Sequence, residues 1–441
     1  MKKCFRIAAL VAAMGMALAM FACSNSSDSG SGSGGNGGGS GGGGTTNGGG
    51  GTEISKQAGS ISYATTSVEK LSTAAAFTNE LTKTGDGTVT YASSSTSVAT
   101  VNESTGEVTI VAVGTTTITA TVADSATYSY ETKTASYTLT VAFDYKTIPL
   151  TLEACADGTI TLTNIKTGFK YSKNGGEKTD FATPNETLTV SAGDTICLFA
   201  SGTGSAGSTN TDFVIDCSTT ECYVYGNVMS LEDADGYSTC TTIKSIYEFQ
   251  NLFHPSSSAN QIKSHPTKKL VLPATTLKLR CYENMFYNCP KLTVAPDLPA
   301  TTLADQCYYA MFGFCAIETA PALPATTLAS GCYKEMFRSC ESLTKAPDLP
   351  APTLYKECYY SMFSGCTSLN HIKCLATDTS AKDCYKCMLF NVSSTGTFVK
   401  AASATVAADT TDDPTKTWQR CYLTNNSKGG IPTNWTVQNA N

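Results

Sequence analysis

Cysteine is the residue whose spacing in this chain could do chemistry. Four stretches repeat one pattern: "CYENMFYNC" from Cys281, "CYYAMFGFC" from Cys307, "CYKEMFRSC" from Cys332 and "CYYSMFSGC" from Cys358. Recurrent thiol pairs can hold metal, form disulfides or fill a core. A Cys-x7-Cys pair lacks the close Cys-x2-4-Cys spacing of zinc sites. Only three histidines exist, His254, His265 and His371, and none recurs with the motif. Neither a metal nor a cofactor is expected. On a helix, residues eight apart are separated by about 12 Å of rise, whereas a disulfide needs Cα atoms within about 7 Å. A bridge within one copy therefore needs a non-helical segment. Bridges between neighbouring copies, about 5 Å apart where strands pair, stay open. The residue types favour buried thiols packing as small hydrophobes.

Other reactive constellations are missing. The chain has no nucleophile elbow, phosphate loop or HExxH pattern. His371, in "SLNHIK", falls where earlier copies carry Val294, Thr319 and Lys345, a variable position. Asp297 and Asp348 sit in "APD" turns, where turn chemistry accounts for them. No enzyme is expected.

The elements that carry the cysteines repeat too. "LPATTL" begins at Leu272, Leu298 and Leu323, and "LPAPTL" at Leu349, in steps of 26, 25 and 26 residues. A degenerate unit runs through Cys384 to Met388. Upstream, "IYEFQNLFHPSS" has Leu252-Phe253 in place of Met-Phe. Repeats of this length with spaced leucines predict an α/β leucine-rich-repeat solenoid. In one coil, Leu292–Ala295 forms a short strand stopped by Pro296, Leu298 and Leu303 point inward, and Cys307 to Cys315 lies on a short helix. At about 100° per residue, the recurring positions then share an arc of about 140°. The expected core comprises Cys281, Met285, Phe286 and Cys289; Cys307, Met311, Phe312 and Cys315; Cys332, Met336, Phe337 and Cys340; and Cys358, Met362, Phe363 and Cys366.

Positions that change between copies, such as Tyr287-Asn288 against Arg338-Ser339, read as surface. The candidate ligand positions on the strand face are Glu318, Lys345, Asn370 and His371. The block at about 240–400 resembles the BspA-like leucine-rich-repeat surface proteins of anaerobic bacteria. That resemblance implies adhesion or host contact and names no ligand. The closing "GGIPTNWTV", with Trp418 and Trp435, is similar to the ends of such proteins and is expected to seal the last coil.

Before the repeats, polar and apolar residues alternate in "TTTITATV" (Thr115 to Val122) and "YTLTV" (Tyr137 to Val141), the writing of half-buried strands. Ser104-Thr105-Gly106 reads as a turn between strands carrying Val98 and Val108. The "SVATV" strand, the "STGEVT" turn and Gly114 before the last alternating strand resemble the bacterial immunoglobulin-like domain, group 2, over about 57–142. That resemblance implies a spacer or adhesive module on a cell-surface protein. A second β-module follows to about Tyr225. Its "FKYSKNGGEKTDF" is a hairpin with Asn174-Gly175 at the tip, where positive φ is needed. A disulfide between Cys217 and Cys222, flanking "STTE", is one pairing this spacing allows. Cys155 and Cys197 can equally fill a core.

The first residues have a basic Lys2, Lys3 and Arg6 followed by an apolar run to Ala22, the form of an export signal. Cleavage after Ala19 and cleavage before Cys23 both fit. "MFAC" resembles a bacterial lipobox, which implies lipid attachment at Cys23, although Met20 and Phe21 depart from its usual letters. Residues 24–52 hold no apolar side chain and read as a tether with a reach of roughly 30 Å. The 441 residues carry a net charge of −6 without blocks, which gives no nucleic-acid footprint.

The expected organisation is multidomain. A signal peptide (1–22) precedes an anchor and linker (23–56), an all-β immunoglobulin-like sandwich (57–143), a β-rich module (144–226), the solenoid (227–400) and a cap (401–441). The expected function is a non-enzymatic lipoprotein of the outer membrane or cell surface, touching the membrane through its lipid alone. Its expected partner is a host or neighbouring-cell surface protein or glycan. A secreted hydrolase accessory or carbohydrate-binding protein and a structural surface-layer component are the alternatives.

Overall fold

The computed structural model describes residues 55–200, 213–255, 258–408, 415–421 and 430–440. The export signal, Cys23 and the tether lie outside the described residues. Alternating Thr and apolar residues build the longest strands. Gly114–Val122 and Thr134–Ala142 pair antiparallel, with Gly114 opposite Val141 and Thr121 opposite Thr134. Ser67–Leu71 and Val89–Ser93 extend this to four strands. A second sheet joins Leu81–Thr84, Gln57–Tyr63 and Tyr128–Tyr130. Ile61, Tyr63 and Tyr130 meet Ile118, Leu139 and Val141 in one core, which makes a sandwich. The turn between Ala99–Val101 and Val108–Ile110 is held by Asn102, whose Oδ1 accepts from Ser104 N–H and Thr105 N–H, both at 3.0 Å. Gly106, at φ +73°, completes it.

The second β-module has two sheets. Gly158–Thr163 lies between Glu186–Val190 and Val214–Asp216, and Thr151–Ala154 between Thr195–Phe199 and Cys222–Asn227. Its hairpin turns at Asn174 and Gly175, with φ of 54° and 69°, the pair of positive angles that Asn-Gly accommodates. Cys217 and Cys222 are both buried free thiols, so the small disulfide loop does not form. Cys222–Asn227 goes on to take Ile262–Ser264 and Leu270–Val271 as parallel neighbours. Lys263 then bridges Lys291 in the first full repeat. One hydrophobic core consequently runs from Leu150 through the repeats to Trp435, with no break in packing near residue 226.

The repeats do not form the expected α/β leucine-rich-repeat solenoid. Among the described residues the only helical elements are the 3-10 turns Tyr145–Thr147 and Val228–Leu231. The expected helix at Cys307 to Cys315 is a run of overlapping turns. Its cause is a left-handed backbone at every fourth residue: Gln306 (φ 53°), Ala310 (49°) and Phe314 (59°). Arg280, Asn284 and Asn288 repeat the pattern, as do Gly331, Glu335 and Ser339, and Glu357, Ser361 and Gly365. An α-helix needs negative φ throughout. These reversals split the amides into two sets. Met311 and Gly313 N–H bond Tyr308 and Ala310 within the copy, while Ala310, Phe312 and Phe314 N–H reach Lys334, Met336 and Arg338 of the next copy at 2.8–2.9 Å. The expected strand at Leu292–Ala295 is likewise reduced to an isolated bridge, Val294 opposite Thr319. The copies therefore pair as a ladder of turns and bridges.

The ladder encloses two columns of stacked rings. Tyr282, Tyr308, Tyr333 and Tyr359 follow one another with centroids 5.7, 5.8 and 6.2 Å apart. Phe286, Phe312, Phe337 and Phe363 do so at 5.5, 5.6 and 5.7 Å. Phe249 and Phe253 of the upstream segment head the columns, stacking on Tyr282 and Phe286 at 5.5 and 5.4 Å. All sixteen repeated Cys, Met and Phe residues are buried, and the cysteines among them are free thiols. At the far end Trp418 packs on Tyr385 and Phe398, at 4.9 and 5.0 Å. Trp435 Nε1 donates to the Ser393 carbonyl at 2.9 Å.

Candidate binding surface

The same alternation that buries Cys, Met and Phe turns other positions outward. Tyr309, Lys334 and Tyr360, each after a Cys-Tyr, and Tyr287 and Arg338, each after a Met-Phe, are half-buried or exposed, whereas Glu283 and Gly313 at the matching places are buried and Phe314 takes the outward place beside Gly313. Because each copy hydrogen-bonds to the next in register, these side chains line up across copies. Tyr309, Lys334 and Tyr360 form one such row. Lys334 Nζ lies 5.5 Å from the Tyr309 ring centroid and 4.8 Å from that of Tyr360, within cation–π range. Glu357 fixes the ammonium at 2.8 Å, and this bond holds the Glu357 carboxyl below its usual pKa. Tyr287, Phe314 and Arg338 form a second row. Tyr287 meets Phe314 at 5.3 Å, edge to face, and the Arg338 guanidinium lies 5.8 Å from the Phe314 ring. Glu335 anchors Arg338 at 2.8 Å. Phe314 is 40% exposed and lies between the Tyr287 ring and the Arg338 guanidinium.

The candidate positions read from sequence fall on another strip. Lys345 and His371 are bridge partners, and Asn370 N–H bonds the Thr344 carbonyl at 3.0 Å. These three thus sit on adjacent copies. Lys345 and Asn370 are exposed and His371 is half-buried. Glu318 is exposed on a different pair of copies, its N–H bonded to the Thr293 carbonyl at 3.1 Å. Sequence reasoning recognised Tyr287 and Arg338 as surface positions. It missed Tyr309, Lys334 and Tyr360 as a unit because their contact depends on the ladder register.

At the upstream end of that strip, the extra residues "HPTKKL" open a cavity of about 250 Å³. Its lining mixes Val224, Leu270 and Leu292 with Ser264, Lys269 and Asp297. Beside it, Lys268 Nζ meets Tyr225 Oη at 3.1 Å and Glu153 Oε2 at 2.5 Å. Burial alone would raise the Glu153 pKa, but bonds from Lys268 and Tyr225 bring it below the usual range. His265 Nδ1 accepts from Lys268 N–H at 2.9 Å. Burial, then the Lys268 charge, lower the His265 pKa, so this loop is fixed by a neutral imidazole. Nearby, Lys263 and Lys291 both grip Glu221 and hold its carboxyl down to about 2. Lys268, Lys263 and Lys291 are thus engaged with Glu153 and Glu221 beside the loop.

Among the described residues, no cluster of His, Cys, Asp or Glu is arranged to hold a metal ion, and no helix is long and apolar enough to cross a membrane. Residues 57–131 match the bacterial Ig-like domain, group 2. The sandwich is therefore a domain of that class, and it marks an exported or surface protein. Comparison with curated proteins yielded no match.

Proposed function

We propose that this chain is a non-enzymatic surface protein that binds a protein or glycan through the rows Tyr309–Lys334–Tyr360 and Tyr287–Phe314–Arg338. The observation that carries this reading is the pre-set geometry of these rows. Rings and cations that are half-buried, or exposed as at Phe314 and Arg338, are held by contacts between copies on a core of stacked aromatics. Little side-chain freedom is then left to lose on binding, which favours affinity, and Tyr and Arg are the side chains that dominate contact energies. The Ig-like sandwich acts as a spacer. Cys23 is the lipid-attachment residue, supported by the apolar run before it and the Gly/Ser run after it. The anchor, tether and sandwich together hold the ladder away from the membrane, toward a host or neighbouring cell.

The test is an array of glycans and matrix proteins probed with the full chain. Variants Lys334→Glu and Tyr360→Ala address the rows, and Lys345→Glu with His371→Ala addresses the strip. Selective binding lost in the row variants and kept in the strip variant supports the reading. The opposite pattern moves the site to Lys345, Asn370 and His371. Binding unchanged in all of them overturns a role for the repeats.

A further inference from the structure

Where the second β-module meets the first place of the ladder, two carboxyls are buried together. Glu232 is fully buried and Glu248 nearly so. Glu232 follows the 3-10 turn Val228–Leu231, and its Oε1 accepts from Lys244 N–H at 2.8 Å. Glu248 precedes Phe249, the ring that heads the Tyr column. Its Oε1 takes the Lys166 ammonium at 2.7 Å. Lys166 comes from the second module, in the loop after Gly158–Thr163. The second oxygen of each carboxyl, Glu232 Oε2 and Glu248 Oε2, is buried without a hydrogen-bond partner.

Glu248 holds the Lys166 ammonium, while Glu232 is met by a backbone N–H alone, so ionising both leaves a buried charge without a direct counter-ion, and such a charge is costly unless a proton neutralises it. We propose that Glu232, Glu248 and Lys166 form a proton-operated clasp between the second β-module and the first repeat, closed while the carboxyl pair holds a proton and weakened once that proton is lost. The groups around the pair are Lys166, Lys244, the Ser245 hydroxyl, the Tyr282 phenol and the Cys281 thiol. Burial drives the Tyr282 phenol well up and the Cys281 thiol up to about 12. Both stay neutral, so the carboxyls are the groups that change charge.

Burial first, and the Glu248 charge second, raise Glu232 from 4.5 to about 7. Burial raises Glu248 as well. For an acid whose pKa is raised by closure, the stabilisation is complete below the open-state value and is lost as pH climbs to the closed-state value. The clasp is therefore tightest below pH 4.5, and its stabilisation is lost as pH rises through about 7.

Hydrogen exchange of the full chain, corrected for the intrinsic rate at each pH, tests this. Peptides covering Val228–Leu252 and the Lys166 loop should exchange at least about tenfold faster at about pH 7 than at about pH 4.5. The Ig-like strands provide the internal control. Glu232→Gln, which carries no proton to lose, should remove most of that dependence. Glu248→Gln, which removes the charge that raises Glu232, should shift the loosening to lower pH and gives a second reading should Glu232→Gln not fold. Corrected exchange that is flat with pH in the unmodified chain overturns the clasp. So does a pH dependence that survives both substitutions.

Discussion

Cys315 donates its thiol hydrogen to the Phe286 carbonyl of the preceding copy, 2.9 Å away. Cys289, Cys340 and Cys366 make the same bond to Phe253, Phe312 and Phe337, at 3.3, 3.1 and 2.9 Å. The second cysteine of each motif is thus both a core filler and a donor that ties one copy to the last. Cys315→Ala should cost about 1–2 kcal/mol, from the lost bond and a small void. Denaturant unfolding of the variant against the parent measures it.

The same burial makes these thiols inert. It pushes Cys307, Cys315, Cys340 and Cys366 well above the ordinary thiol pKa, and the thiolate is the reactive form. Alkylation at about pH 8 should leave all eight motif cysteines unmodified in the folded protein and modify all of them in denaturant. Peptide mass spectrometry reads the outcome residue by residue. Fast labelling in the folded state would contradict the packing.

Phe312 sits between Phe286 and Phe337 in its column and is fully buried. Phe312→Ala should destabilise by about 3–5 kcal/mol, the range for truncating a buried aromatic. Because the ring touches both neighbouring copies, the loss should appear in thermal unfolding of the whole ladder. A negligible shift in Tm would refute the column as a source of stability.

The left-handed positions give a test of opposite sign to a helix. Ser339 has φ 55°, which costs an L-residue free energy that glycine does not pay. Ser339→Gly should raise stability by about 0.5–1 kcal/mol, whereas in a helix interior it would lower it by a similar amount. Gly365→Ala runs the other way. Gly365 has φ +83°, and a Cβ there would lie 2.7 Å from Ser339 Oγ, so the variant should lose stability in the same assay.

These left-handed residues also explain where the sequence could be read and where it misled. In the Ig-like domain, strict alternation around Ile118, Leu139 and Val141 admits only a strand period, and those residues form the core. In the motif, Cys, Tyr, Met, Phe and Cys recur at offsets of zero, one, four, five and eight. Nine residues at these offsets suit a helical period and a period of four equally well. The deciding signal lay in residues that change between copies. Asn284 and Asn288 fall four apart, Gly365 takes the place of Asn288, and Gly331 stands four before Glu335 at the head of its copy's series, and Asn and Gly are the residues that tolerate positive φ. The burial of Met311 and Phe312 follows from either period, whereas the direction of every backbone amide depends on the choice. For the surface, variation between copies marked Tyr287 and Arg338 as outward. The contact of Lys334 with Tyr309 and Tyr360 joins residues 25 and 26 positions apart, a relation that no local pattern carries.

Each rung of the ladder offers its neighbour the same amides, the same ring faces and the same thiol. One copy is therefore a near-interchangeable part. Loss, duplication or exchange of a whole 25- or 26-residue copy keeps the backbone bonds of the turn run, which recur at each junction, and changes the side-chain bonds particular to a pair of copies. Recombination between copies within a gene can then lengthen, shorten or reorder the outward rows in a single event, with the core unaltered. The four copies already differ at their outward positions while their core letters stay the same.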